Sequence, residues 1–127
     1  MAQLLIIDDD PMVLDFLTGA LTEAGHDVTS AADGWEAMKR FRPHFHELVI
    51  TDICMPQFDG SDVLRVLRRE VPDIPVLVIT AYEAFEKGDE RTSTQALVNE
   101  LGATRFLAKP FSIDTLLTAV NECLATR

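Results

Sequence analysis

Residues 4–11 read Leu-Leu-Ile-Ile-Asp-Asp-Asp-Pro, and the reading of this stretch decides the architecture. Gln3–Ile7 is a short apolar run that ends abruptly at Asp8-Asp9-Asp10. A run of that length without polar alternation suits a strand buried on both faces of a parallel sheet. Asp10 then offers a helix N-cap and Pro11 the first helical position, where proline's missing N–H costs nothing. Val13, Phe16, Leu17, Ala20, Leu21 and Ala24 follow at helical spacing, and Gly25 is placed to stop the helix. One buried strand feeding one capped helix is a βα unit.

Outward from this unit the pattern repeats. His26–Ala31 alternates more and predicts a less buried edge strand. Asp33-Gly34 opens a helix carrying Ala37, Met38 and Phe41, stopped near Pro43. Leu48–Thr51 is a second buried run, ending at Asp52. Met55–Gly60 reads as a loop, and the helix after it turns Val63, Val66 and Leu67 inward and stops before Pro72. Pro75–Ile79 is a third buried run, ending at Thr80. Tyr82–Ser93 is polar and reads mostly as loop, and Thr94–Leu101 reads as helix with Gly102 as its stop. Arg105–Ala108 is a short strand ending at Lys109-Pro110. Ser112 caps a last helix with the inward stripe Ile113, Leu116, Leu117, Val120, Cys123 and Leu124. Five strands alternating with five helices predict a single α/β domain, a doubly wound five-stranded parallel sheet with helices on both faces.

Composition supports one domain and narrows its partners. The chain has 127 residues, 47% of them hydrophobic, and a formal net charge of −10. That is enough apolar material for a packed core, so disorder is not expected despite the charge. The acidity argues against direct nucleic-acid binding and against adsorption to anionic membranes. No apolar run approaches a bilayer-spanning length, and the start of the chain lacks the basic flank of a signal peptide. Cys54 and Cys123 are too few for a disulfide framework and read as reduced thiols of a cytoplasmic protein. His26, His44 and His46 share no ligand spacing with them, which leaves no zinc site.

The informative feature is where the polar residues fall. Asp8-Asp9, Asp52, Thr80 and Lys109 each stand at the end of a predicted strand. Sites in open parallel sheets form beyond the carboxyl ends of strands, at the topological switch point. In the doubly wound order 2-1-3-4-5 these four strands are neighbours, and the residues share one pocket. Three carboxylates so close require a counter-ion, and an all-oxygen donor set suits a hard cation such as Mg²⁺. A hydroxyl and an ammonium beside them suit phosphoryl oxygens. A carboxylate can itself accept a phosphoryl group, and Asp52, alone at the end of the central strand, is the natural acceptor. Singly, each feature has a plainer reading: a helix cap, a strand-end hydrogen bond, a solvated turn. Their coincidence at four strand ends carries the chemistry.

With these residues in place, the segments LLIIDDDP, LVITDICMPQFDG, VLVITAY and FLAKPF resemble the receiver domain of two-component response regulators, across essentially the whole chain. The resemblance implies that Asp52 is the phosphoacceptor, and that Asp8 and Asp9 hold Mg²⁺ together with Asp52 and the backbone carbonyl of Cys54. It makes Thr80 the switch hydroxyl, Lys109 the phosphate-binding cation, and Ala81 a small residue whose N–H can approach the phosphate. It implies a cis Lys109-Pro110 bond and gives Phe106 the place of an aromatic that changes rotamer with Thr80; plain core packing of Phe106 is the alternative reading. The partner implied is a histidine kinase, with a downstream protein target. The chain departs from the family between Thr80 and Lys109, which stand 29 positions apart, longer than usual, with the excess assigned to Glu83–Ser93. That extension reads as a solvated loop and leaves the partner surface and any homodimer open.

The leading expectation is therefore a signalling switch that assists only its own phosphorylation and dephosphorylation and is not otherwise an enzyme. Three other readings compete with it. One is an adaptor that kept the fold and is never phosphorylated, but such a protein is expected to have lost a carboxylate, the Thr or the Lys, and none is missing. Another is a Mg²⁺-dependent phosphohydrolase working through an aspartyl-phosphate. Asp8 and Asp10 have its Asp-x-Asp spacing, but the Thr it requires after them is absent. A flavodoxin-like electron carrier is weaker still, since the aspartates would repel a flavin phosphate. The chain is expected to form one receiver domain, whether free-standing or part of a longer regulator.

Overall fold

A computed structural model describes residues 2–52, 60–81 and 102–126. The elements run β1 (Gln3–Ile7), α1 (Pro11–Glu23), β2 (Asp27–Ala31), α2 (Gly34–Arg40), β3 (Leu48–Asp52), α3 (Gly60–Glu70), β4 (Val76–Ala81), β5 (Arg105–Lys109) and α4 (Ile113–Ala125). The five strands form one parallel sheet in the order β2-β1-β3-β4-β5. This is the doubly wound architecture expected from the alternation. The expected loop over 55–60, the polar stretch 82–93 and the helix at 94–101 fall wholly or largely outside the described residues, as does Cys54.

Successive strand residues point to opposite faces, and each face has its own core. Leu5, Ile7, Val49, Val76 and Val78 pack with Ala37 of α2 and with Val63, Leu64 and Leu67 of α3. Leu4, Ile6, Leu48, Ile50, Leu77 and Ile79 pack with Leu17 and Leu21 of α1 and with Leu116, Val120 and Cys123 of α4. Because both faces are covered, the central strands are apolar up to their carboxyl ends, which is why they read as continuous runs. Each fully buried Leu or Ile contributes about 1.5–3 kcal/mol of transfer free energy.

The helix signals act where the residues place them. Asp10, Asp33 and Ser112 are the N-caps of α1, α2 and α4, each accepting from a backbone N–H of its own first turn. Gly25 follows α1 with φ 98°, a left-handed conformation that glycine adopts without strain. Three expectations need correction. Phe16 is 41% exposed and meets Phe111 at 6.1 Å between ring centroids instead of entering the core. Ile113 is 46% exposed, and Ala24 is exposed at the C-cap of α1. All three stand at an end or flank of a helical stripe, where the 3.6-residue period turns a side chain away from the sheet. A fourth concerns Phe41, which lies just beyond α2 as its C-cap with extended backbone and still packs against the core.

Candidate functional site

The sheet register brings the strand ends level. Ile7 pairs with Thr51, so Asp8 stands beside Asp52. Asp52 pairs with Ile79, which sets Thr80 one residue further along β4. Thr80 pairs with Ala108 and Ala81 with Lys109. Four segments far apart in the chain therefore converge at one edge of the sheet, and the backbone of Thr80 runs between the strands that carry Asp52 and Lys109.

Asp8 is held on every side. Its N–H donates to the carbonyl of Ala31 at 3.2 Å, and its Oδ1 accepts the N–H of Asp10 at 2.8 Å. Its Oδ2 accepts from Lys109 Nζ at 3.1 Å. The same ammonium donates to Asp52 Oδ2 at 3.2 Å. Asp8 and Asp52 are 1% and 6% exposed, whereas Asp9 is exposed. Two carboxylates so buried require compensation, and one Lys supplies a single charge against both. Burial by itself would lower the pKa of the Lys109 ammonium. The charges of Asp52 and Asp8, with their hydrogen bonds, outweigh it and hold the group above its ordinary value.

One carboxylate oxygen each from Asp8, Asp9 and Asp52 lies within 4.8 Å of the others. This oxygen-only set, more negative than Lys109 can neutralise, fits a hard divalent cation. Phe106 is half-buried and packs against the core on the α2–α3 face, so its packing role is real. The Lys109-Pro110 peptide bond is cis.

Of the expected site residues, Asp8, Asp9, Asp52 and Lys109 come together, and Thr80 and Ala81 occupy the adjoining strand by backbone position. The N–H of Asp10 also orients Asp8 across an Asx turn, a role beyond the helix cap that its sequence position predicts. An Asp two residues before another turn-forming Asp is the local pattern that signals it.

The model of the response regulator receiver domain matches residues 4–121. The chain belongs to that family. Over 120 residues this receiver domain is 33% identical to the probable transcriptional regulatory protein TcrX of Mycobacterium tuberculosis, a match covering 94% of this chain and 48% of that protein. It is 39% identical over 121 residues to the probable transcriptional regulator ycf27 of Cyanidium caldarium, covering 95% of this chain and 45% of that one. The crystal structure of a response regulator receiver domain protein from Clostridium thermocellum superposes with a TM-score of 0.86 at 27% identity, covering 98% of this chain and 95% of that one. The receiver domain spans about half the length of the curated relatives it matches. No helix among the described residues is long and apolar enough to cross a membrane.

Proposed function

We propose that residues 1–127 act as one receiver domain, a cytoplasmic switch that takes a phosphoryl group on Asp52 from a partner histidine kinase and changes its surface for a downstream protein. The observation that carries this reading is the Lys109 ammonium bridging Asp8 and Asp52 at the strand ends. In the proposed transfer an Asp52 carboxylate oxygen attacks phosphorus. The bond from phosphorus to the donor's imidazole nitrogen breaks, and that nitrogen keeps the electron pair. The product is an acyl phosphate on Asp52. In this reading Lys109 and Thr80 would meet the oxygens of the transferred group, so that positioning and charge neutralisation supply the catalysis. Asp8, Asp9 and Asp52, with the carbonyl of Cys54, would hold Mg²⁺, which supplies the positive charge that these carboxylates and the phosphoryl oxygens require.

The proposed output is a shift between two conformations in which Thr80 and Phe106 move together, biased by the new charge on Asp52. Direct nucleic-acid binding and membrane binding play no part in this reading. The relatives named as transcriptional regulators are about twice as long, so that activity is not carried over to this chain.

The test is incubation of the purified chain with acetyl phosphate, with and without Mg²⁺, followed by intact-mass measurement. Mg²⁺-dependent addition of one phosphoryl group is expected, and Asp52→Asn should abolish it. Undiminished labelling of Asp52→Asn would sink the assignment. Failure to bind either Mg²⁺ or a beryllofluoride mimic would favour the adaptor reading, and turnover of an aryl phosphate would favour the phosphohydrolase.

A further inference from the structure

Gln3 begins the strand whose other end leads to Asp8, and beside it a polar cavity opens at the sheet edge. It has a volume of about 430 Å³, within the ~300–1,000 Å³ common for small-molecule sites. Lys39, Arg40 and Arg42 line it, and no Asp or Glu does among the described residues. Three of the chain's 11 Lys and Arg thus share one cavity in a molecule of net charge −10. Lys39 and Arg40 also suit the negative C-terminal end of α2, which would explain those two without a ligand. It does not explain Arg42, which lies beyond the C-cap, nor the arrangement on β2 opposite.

That arrangement supplies an independent argument. His46 is buried, and the N–H of Arg42 donates to its Nδ1 at 3.0 Å. A neutral ring whose Nδ1 accepts must carry its proton on Nε2. Nε2 therefore donates to Thr29 Oγ1, 3.2 Å away. Burial, assisted by the charge of Arg42, lowers the His46 pKa and favours this neutral form. Having accepted, the Thr29 hydroxyl keeps its own proton to donate, and no acceptor for it stands among the described residues. Thr29 lines the same cavity. The guanidinium of Arg42 lies 5.7 Å from the centroid of the Phe45 ring, an attraction that holds it against the cavity wall. Arg40 is only loosely engaged, with Glu36 at 3.8 Å on an exposed pair. The walls thus converge as donors from α2, from the turn after it and from β2.

We propose that this cavity is a binding site for a small phosphorylated anion. Lys39, Arg40 and Arg42 would hold the phosphate, the Thr29 hydroxyl would donate to it as the end of a His46 relay, and Phe45 would form an apolar wall for the rest of the ligand. Phosphate matches donors arriving from several sides, and guanidinium groups bind it in forked geometry.

The test is a calorimetric titration of the full chain with pyrophosphate and, separately, with ADP, in chelator and at low ionic strength. Saturable binding is expected. The surface double variant Lys39→Gln/Arg42→Gln should weaken it roughly tenfold or more, the scale of losing charged hydrogen bonds. Thr29→Val should also weaken it and Thr29→Ser should not, with melting curves confirming that each variant is folded. Asp52→Asn should bind as the parent does, which separates this site from the proposed phosphoacceptor. Tighter binding of ADP would identify a nucleotide stacked on Phe45, and equal binding an inorganic phosphate ligand; both support the site. No saturable binding of either probe, or affinity unchanged in Lys39→Gln/Arg42→Gln, would overturn it.

Discussion

The Lys109 ammonium lies 3.2 Å from Oδ2 of Asp52, a residue 57 positions earlier in the chain, and it closes the gap between the two buried carboxylates of the strand ends. Replacing it by Met should expose what it compensates. Lys109→Met removes the ammonium that bridges Asp8 and Asp52, and should cost about 1–3 kcal/mol in metal-free buffer. The partial exposure of the Lys109 side chain argues for the lower end of that range. Adding Asp52→Asn to Lys109→Met should recover part of the loss. Urea unfolding of both variants checks this, and a Lys109→Met midpoint equal to the parent's would show that the bridge contributes nothing.

Divalent cation should stabilise the fold through the carboxylates of Asp8, Asp9 and Asp52. At a Mg²⁺ concentration of about ten times Kd the gain is about 1.4 kcal/mol, seen as a higher Tm. Asp9→Asn should shrink this gain with little change in metal-free stability, because Asp9 is exposed. Thermal melts across a Mg²⁺ series read both quantities. Equal Mg²⁺ responses from parent and Asp9→Asn would remove Asp9 from the metal site.

Stability should fall at both ends of the pH scale, for opposite reasons. Lys109 has a raised pKa in the fold, so its contribution is complete below the unfolded value of about 10.5 and is lost as pH rises through the folded value. His26 and His46 are lowered, chiefly by burial, so the fold prefers them neutral. Their contribution is complete above about 6.5 and drains away as pH falls below it. Unfolding midpoints from pH 5 to 11 check both limbs. His46→Gln should flatten the acid limb near pH 6, and Lys109→Met the alkaline one.

Arg68 should matter more than its place in an amphipathic helix suggests. Its guanidinium donates to the carbonyl of Ile74 and to that of Gly102, each at 2.6 Å, and so clasps the chain entering β4 to the chain entering β5. Burial lowers its pKa but leaves it charged in the ordinary range of pH. Arg68→Ala should cost about 1–3 kcal/mol, and Arg68→Lys should restore little, since an ammonium cannot span two carbonyls as a fork does. Chemical denaturation of the two variants provides the comparison.

These residues also mark what could be read from the chain alone. Parallel strands covered on both faces leave unbroken apolar runs, so β1, β3 and β4 were legible, and so was the site, because chemistry in such sheets collects where the runs stop. Asp10, Asp33 and Ser112 announced their helices by side-chain type. Arg68 gave no such sign, because its partners are backbone carbonyls that only the folded chain brings near. The His46–Thr29 contact joins the connection before β3 to β2 and has no sequence period. Phe16 misled because helical spacing records a face, and the width of that face depends on the neighbour it meets.

The central claim is that Asp52, among three clustered carboxylates, is the one that carries the phosphoryl group. Borohydride reduces an acyl phosphate to the alcohol, so labelling with acetyl phosphate and Mg²⁺, reduction and peptide mass mapping locate the modified side chain. The account predicts homoserine at position 52 and unmodified aspartate at positions 8 and 9. Homoserine at either of those positions, or none at 52 in a chain that has bound Mg²⁺, would contradict it.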